Sequence, residues 1–258
     1  MNSSPYTLEW DYTKLASTYS LRPEYAPAAI DRIVGACGDH SPVTAADIGA
    51  GTGHLTLDLL ARGCLVDAVE PNDAMRAIGI ERTADHAGVT WSVGIGEETG
   101  LPSRRYHLVT YGSSFSNTDQ PKALHETARI LASGGWFACI WNHRELDDPI
   151  QAEVEELIHQ RVPQYAYGRR RQDHAPVIRD SRLFGSVEKI EEPVQHRVSI
   201  TDWIIAWRSH ATLQRQAGDD FHPIVDDIER LVRSRVDGEH LDVPYLTVGW
   251  LAQLRDEQ

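Results

Sequence analysis

The chain has 258 residues, 41% hydrophobic and 24% charged, a composition that rules out general disorder and fits one large domain over 1–258. Its 25 basic and 38 acidic residues leave a net charge of −13; such a surface repels phosphate backbones, so it argues against nucleic acid and favours a cationic or neutral small molecule as partner. No apolar run approaches the roughly 20 residues of a membrane helix, and Met1-Asn2-Ser3-Ser4-Pro5-Tyr6 lacks the basic head and apolar core of a leader, so a cytoplasmic protein with no membrane partner is expected.

In chain order, a Tyr-rich segment from Tyr12 to Tyr25 precedes a helix over Ala26–Ala36, and together 1–36 reads as a lid. Residues 44–142 then alternate short apolar runs with helical periods, the rhythm of parallel strands joined by crossover helices. Strands are expected at Thr44–Ile48, Leu65–Glu70, Val89–Val93, Leu108–Tyr111 and Trp136–Trp141, and helices at Leu55–Ala61, Asp73–Thr83 and Lys122–Leu131. The last of these helices has Pro121 near its first turn and Gly134-Gly135 beyond its end. Residues 146–236 form a second region, of helices around one strand. There Asp148 caps a helix with Pro149 in its first turn, and Ile150, Val154, Leu157, Ile158 and Val162 share one face. The loop Pro163–Pro176 carries Tyr165, Tyr167 and Arg169-Arg170-Arg171. A solvated loop is the favoured reading, over a mobile cover for an anionic group, because charge runs usually face water. A strand around 187–192, helices over Asp202–Leu213, capped by Thr201, and Ile224–Val236, and a final strand within 243–258 complete the chain. Cys37, Cys64 and Cys139 are odd in number without C-x-x-C spacing and read as buried thiols. The 12 histidines include no i, i+3 or i, i+4 pair, so no metal site is drawn.

The strongest signal is Asp47-Ile48-Gly49-Ala50-Gly51-Thr52-Gly53-His54, a strand that enters alternating glycines and then a helix. Glycines there let backbone come within contact distance of a ligand that a Cβ would block. A dinucleotide fingerprint needs its third glycine one residue later, where His54 stands, which disfavours a nicotinamide oxidoreductase. The second strand ends at Glu70-Pro71-Asn72, where a carboxylate can accept two hydrogen bonds from a ribose diol. Gly94-Ile95-Gly96-Glu97 then places small residues and an acid at the rim of an adenine pocket.

With these residues the chain resembles the class I S-adenosylmethionine-dependent methyltransferases, in particular the group with a type-11 methyltransferase domain and its natural-product-tailoring branch. The resemblance implies a Rossmann-like α/β fold: a seven-stranded, mostly parallel sheet whose last strand is antiparallel, plus a helical lid and insertion. It implies S-adenosylmethionine as methyl donor and S-adenosylhomocysteine as product. Asp47, Gly49, Ala50, Gly51 and Gly53 match the first motif, Glu70 and Pro71 the ribose site, Met75 the adenine-packing position, and Gly96 and Glu97 the adenine edge. Tyr19, Arg22 and Ser113 would complete the donor site, with Arg22 meeting the donor's carboxylate. Ile95 stands where the family often has Asp, and Tyr106-His107 where it usually has Phe-Asp.

Methyl transfer from a sulfonium needs geometry and exclusion of water more than strong catalytic groups. That fits a chain without an obvious nucleophile or paired carboxylates. Tyr19 is the expected catalytic residue, orienting the acceptor or receiving its proton. Tyr12, Tyr111, Phe115, Asn142, His143 and Trp207 are expected to line the acceptor pocket, from the lid, strand ends and insertion. The acidic balance favours an amine acceptor, as in antibiotic-tailoring N-methylation. Oxygen methylation, with His143 as base, is the alternative, and a non-catalytic scaffold is a third reading. Self-association stays open.

Overall fold

A computed structural model describes residues 13, 16–19 and 21–255. Tyr12 lies outside them. In chain order the elements are α1 (Ala16–Tyr19), α2 (Pro27–Gly35), β1 (Thr44–Ile48), α3 (His54–Leu60), β2 (Leu65–Val69), α4 (Asp73–Arg82) and β3 (Val89–Ser92). There follow β4 (Tyr106–Gly112), α5 (Gln120–Ile130), β5 (Leu131–Arg144), α6 (Pro149–Arg161), α7 (Ala175–Asp180), β6 (Phe184–Ser199), α8 (Ile200–Trp207), α9 (Ala211–Ala217), α10 (Phe221–Arg235) and β7 (His240–Leu254).

The seven strands form one sheet in the order β3-β2-β1-β4-β5-β7-β6. β1 through β5 pair in parallel, and β7 runs antiparallel to both β5 and β6, so this is the expected Rossmann-like arrangement. From β1 the chain builds outward through β2 and β3, then returns to add β4 on the other side. The strand order therefore reverses between β1 and β4, where an open α/β sheet leaves a crevice beyond its carboxyl ends.

Apolar side chains cover both faces of the sheet. One face packs Val109, Tyr111, Phe137 and Trp141 with α5 and α7, and the other packs Ala45, Leu108 and Ile140 with α2 and α3 through Ile30, Ile33 and Leu59. Each fully buried aliphatic side chain contributes about 1.5–3 kcal/mol. A third cluster lies among α6, α8, α9, α10 and the outer halves of β6 and β7, built on Ile158, Trp203, Leu213, Ile228 and Val243. It forms a separate lobe.

The lobe is where the elements depart most from expectation. β6 and β7 are 16 and 15 residues long and pair from Phe184–Leu254 to Ser199–His240, so β6 runs well beyond the expected 187–192 and β7 starts ahead of the expected 243. Pro193 and Pro244 interrupt the local strand signal, yet β6 is an edge strand, and the Pro244 carbonyl accepts from Glu145 N at 3.0 Å. A proline costs little where its missing N–H has no partner to meet. The single helix expected over Asp202–Leu213 is two, because the His210 ring accepts from Leu213 N and starts α9 anew. The cap of α8 is Ser199, whose Oγ accepts from Asp202 N at 3.0 Å, and Thr201 sits inside the helix instead. Asp148 caps α6 as expected, accepting from Gln151 N at 3.0 Å. All three cysteines are buried free thiols.

Candidate functional site: a cavity across the strand reversal

The glycine turn after β1 is fixed from two sides. Gly49 and Ala50 donate to the Val69 carbonyl at 2.8 and 3.0 Å, and Gly51 N donates to Glu70 Oε2 at 2.8 Å. Gly49, Gly51 and Gly53 all take positive φ, at 67°, 58° and 82°, a backbone that L side chains rarely adopt. Their surroundings differ. A Cβ on Gly49 would lie 2.5 Å from Ser114 Cβ and one on Gly53 would meet Trp91 at 3.3 Å, whereas one on Gly51 would meet nothing within 4 Å. Gly49 and Gly53 are packing positions, and Gly51 faces open space.

That space belongs to a cavity of about 540 Å³ beyond the carboxyl ends of the strands. Asp47, Gly49, Ala50, Gly51, Glu70, Pro71, Met75, Gly96, Glu97 and Ser113 all border it, as do Tyr19, Arg22, Tyr111, Asn142, His143 and Trp207. Gly53 and Phe115 do not: Gly53 begins α3 against Trp91. Phe115 is fully buried, edge-on to Tyr111 and Phe137 at 5.3 Å each. Its side chain completes the core beneath the cavity floor.

Two carboxylates sit at the β1 and β2 ends. Glu70, 7% exposed, accepts from Gly51 N and from Asn72 N, both at 2.8 Å, so each oxygen has one partner and capacity for another. Burial pushes its carboxyl up to about 6, opposed by those two backbone N–H groups. Asp47 borders the cavity but is fully buried, accepting from Thr56 Oγ1 at 2.7 Å and Thr110 Oγ1 at 3.0 Å; burial raises its carboxyl to about 6 as well. Its hydroxyl partners tie β1 to α3 and β4, making it a brace for the turn.

At the opposite end, Asn142 Nδ2 donates to the carbonyls of Pro23 and Glu24 at 3.1 and 2.8 Å, and its Oδ1 accepts from Thr247 Oγ1 at 2.6 Å. Thr247 Oγ1 in turn accepts from Ala26 N at 2.8 Å. This network holds the amino-terminal segment on β5 and β7, so Asn142 anchors that segment while it borders the cavity. Tyr25, which the sequence does not single out, lies within hydrogen-bond distance of Ser113 Oγ, O to O 3.0 Å. Ser113 has φ 61° and its N donates to the Ile140 carbonyl. Arg22 stacks its guanidinium 4.7 Å above the Tyr19 ring centroid, and its Nη2 donates to the Ser209 carbonyl at 3.3 Å.

The basic loop is solvent-exposed at Arg169, as expected, yet it is tied down and borders the cavity. Gln216 bonds both backbone groups of Ala166, His143 Nε2 donates to the Arg170 carbonyl at 3.0 Å, and Arg171 Nη2 donates to the Arg144 carbonyl at 3.0 Å. These bonds pin the turn Gly168–Arg171 to β5 and α9, and Arg169, Arg170 and Arg171 border the cavity with Arg22, Arg144 and Arg215. His143 is correspondingly a poor base: burial, then the nearby Arg171 charge, push its imidazole down to about 4. Arg144 is matched by Glu155 at 3.1 Å, with Tyr167 and Gln151 completing its bonds. Trp203 and Trp207, edge-on at 5.7 Å, are both buried and both line the cavity. Sequence reasoning assigns this role to Trp207 alone. The i, i+4 spacing puts both on one face, but only the tertiary fold says that the face is both core and wall.

Residues 45–135 match the family model described as a methyltransferase domain. An uncharacterized methyltransferase of Mycobacterium tuberculosis is 35% identical over 124 residues, 48% of this chain and 48% of that protein. A ubiquinone/menaquinone biosynthesis C-methyltransferase of Caulobacter vibrioides is 29% identical over 100 residues, 38% of this chain and 39% of that protein. The chain thus aligns with about half the length, or less, of these curated relatives. Among solved structures, a protein of Anaeromyxobacter dehalogenans assigned as a type II methyltransferase shares the fold at TM-score 0.67 and 19% identity, covering 92% of this chain and 99% of that one. A Haemonchus contortus phosphoethanolamine N-methyltransferase in complex with S-adenosyl-L-methionine does so at TM-score 0.54 and 14% identity, covering 95% and 57%.

Proposed function

We propose that the chain transfers a methyl group from S-adenosylmethionine to a small-molecule acceptor held in the same cavity, a reading supported by the match of residues 45–135 to a methyltransferase domain and by the fold shared with a methyltransferase structure. The observation that carries this reading is the pairing of Gly51, whose Cβ side is open, with the Glu70 carboxylate that accepts from its N–H. That cradle fits a nucleoside whose diol donates to the remaining lone pairs of Glu70 and whose base lies beside Met75 and Gly96. When bound, the donor supplies an electrophilic methyl on a sulfonium, already activated.

The chain's own residues then have three tasks. Asp47 and Ser114 hold the turn, the latter through Oγ donating to the Ile48 carbonyl at 2.5 Å. Arg22 offers its charge to the donor's carboxylate. Asn142 and Thr247 hold 23–26 over the crevice to exclude water. Tyr19, under Arg22, is the residue we assign to orient the acceptor. His143 is not assigned as base, since its Nε2 hydrogen is engaged with the Arg170 carbonyl and its imidazole stays neutral.

The amine acceptor suggested by the net charge of −13 has weaker support at the cavity itself, where arginines line the far end. An amine nitrogen remains consistent with that lining for an acceptor that also bears an anion. A specialised metabolite as acceptor is what the resemblance implies. Calorimetric titration with S-adenosylhomocysteine and with NADH tests the donor assignment: the first should bind and the second should not. Labelled S-adenosylmethionine with a panel of amines, phenols and carboxylates then reports transfer and acceptor class. Tight NADH binding with no S-adenosylhomocysteine binding would replace this reading with an oxidoreductase.

A further inference from the structure

His210 stands at the break between α8 and α9 and borders the cavity. Its polar groups can be accounted for one by one. The backbone N donates to the Trp207 carbonyl at 2.9 Å, the carbonyl accepts from Gln214 N at 3.0 Å, and ring Nδ1 accepts from Leu213 N at 3.2 Å. A backbone N–H can only donate, so Nδ1 carries no hydrogen and the ring hydrogen sits on Nε2. Protonating Nδ1 would break the cap of α9; burial, then the charges of Arg22, Arg170 and Arg144, also push the imidazole down and keep it neutral. Nε2 has no hydrogen-bond partner among the described residues and is not closed off from open space, so its N–H opens on the cavity.

The ring is also held in its plane. It stacks on Trp207 at 5.0 Å and 18°, and Trp207 carries the Arg144 guanidinium 4.7 Å from its ring centroid. The same three arginines act on the buried hydroxyl of Tyr245, which shares a core cluster with Trp203. His210, Trp203 and Tyr245 therefore meet at one end of the cavity, which all three border.

We propose that His210 is the specificity-determining residue for the methyl acceptor: Nε2–H donates to a carbonyl oxygen of an aromatic molecule whose ring lies against Trp203 and Tyr245. The proposal deepens the methyltransferase reading and rests on it for the donor beside β1 and β2. A ligand without such an oxygen leaves this N–H desolvated and unpaired, which costs binding. An ammonium fares worse, since it meets another donor in a positive field. The oxygen held here is a handle and not the methylated atom, because a hydrogen bond donated to a lone pair lowers its nucleophilicity. The methylated atom then lies elsewhere on the same molecule, turned toward the donor.

Three probes of one shape test this on the full chain by nuclear magnetic resonance titration, with and without S-adenosylhomocysteine. Acetophenone, cumene and 1-phenylethylamine carry a carbonyl oxygen, a methyl and an ammonium at the same place on one frame. Acetophenone should bind about fivefold or more tightly than the other two, and it alone should shift the His210 Nε2 hydrogen. His210→Asn keeps an oxygen to cap α9 and loses the donor, whereas His210→Phe keeps a ring on Trp207 and loses the donor too. In both, acetophenone should fall to the affinity of cumene, with S-adenosylhomocysteine affinity unchanged. Cumene or 1-phenylethylamine binding the wild type as tightly as acetophenone, a preference for acetophenone that survives in either variant, or a ring hydrogen found on Nδ1 overturns the proposal. Weaker S-adenosylhomocysteine binding in His210→Asn would place the bond on the donor and overturns it as well. Should a variant fail to fold, the wild-type comparison and its Nε2 signal decide. If S-adenosylhomocysteine fails to bind the wild type, the donor reading falls, while the probe comparison without it still decides this one.

Discussion

Glu70 does two things at once. In the reading proposed above it meets the donor's ribose, and it also braces the glycine turn, through Gly51 N and Asn72 N. Glu70→Ala removes both roles and leaves two buried donors unpaired. Glu70→Gln keeps one acceptor oxygen, so it separates them. We expect Glu70→Gln to lower S-adenosylhomocysteine affinity about tenfold, or about 1.4 kcal/mol, with a smaller loss of stability than Ala. Because the ionised form is the better acceptor and its carboxyl sits at about 6, wild-type affinity should rise between pH 5 and 7 and the Gln variant should lose that rise. Calorimetry across that range checks both. Asp47 gives the complementary stability prediction. Its folded value of about 6 lies above the ordinary 3.8, so the folded chain holds the proton more tightly than the unfolded one. The associated stability is complete below about pH 4 and is lost as pH rises through 6. In Asp47→Asn, the fall in Tm from pH 4 to pH 7 should be shallower than in wild type. Among the glycines, Gly49→Ala should destabilise strongly, its Cβ meeting Ser114, while Gly51→Ala, with open space, should cost only the left-handed strain of about 1–2 kcal/mol. Gly51→Ala should nonetheless weaken the donor by projecting a methyl into its cradle.

At the scale of elements, the hold of residues 23–26 on the sheet depends on one threonine and one asparagine. Thr247 and Asn142 hold Pro23, Glu24 and Ala26 through side-chain bonds between β7, β5 and the start of α2. Thr247→Val preserves volume and removes the bonds from Ala26 N and to Asn142 Oδ1. It should raise amide exchange and proteolysis at 21–27 while leaving the sheet protected, measured by hydrogen exchange. The α8–α9 break is a second device of this kind: by ending one helix at His210 and starting another, the chain turns Trp207 and Arg215 toward the same space. A continuous helix over 202–213, the reading that local periodicity gives, would not bring both there by that route. The β6–β7 ribbon carries the lobe back to the carboxyl ends of β1 and β4, and its prolines at 193 and 244 hide it from a local strand search.

For the molecule as a whole, that ribbon joins the lobe to the sheet without interruption, and Val194 packs on both the α2 side and the lobe. We therefore expect one cooperative thermal transition. Ile30→Ala beneath the sheet and Ile228→Ala within the lobe, both fully buried, should each cost about 2–5 kcal/mol and shift that single transition as a unit. Two separated peaks in calorimetry of Ile228→Ala would instead mark the lobe as an independent unit. The charge of −13 is a property of the molecule, and its cavity departs from it. Acids at the donor end and arginines at the far end come from different elements, so a sum over the chain says little about the field a ligand meets.

The amino-acid sequence by itself determined the end of the cavity formed by β1 and β2. Alternating glycines after an apolar run, an acid at the end of the next strand and the strand–helix rhythm are local patterns, set by backbone φ/ψ and hydrophobic period, and they bring Gly49, Gly51, Glu70 and Met75 to the border of one cavity without knowledge of distant contacts. Tertiary structure alone decided the rest. Whether Arg169–Arg171 border the cavity, whether Phe115 is wall or core, whether His143 can accept a proton and which tryptophans line the cavity all depend on contacts between residues far apart in the chain. Those contacts arise only when β6 and β7 fold the lobe over the strand ends, and burial and neighbouring charge then set each group's chemistry.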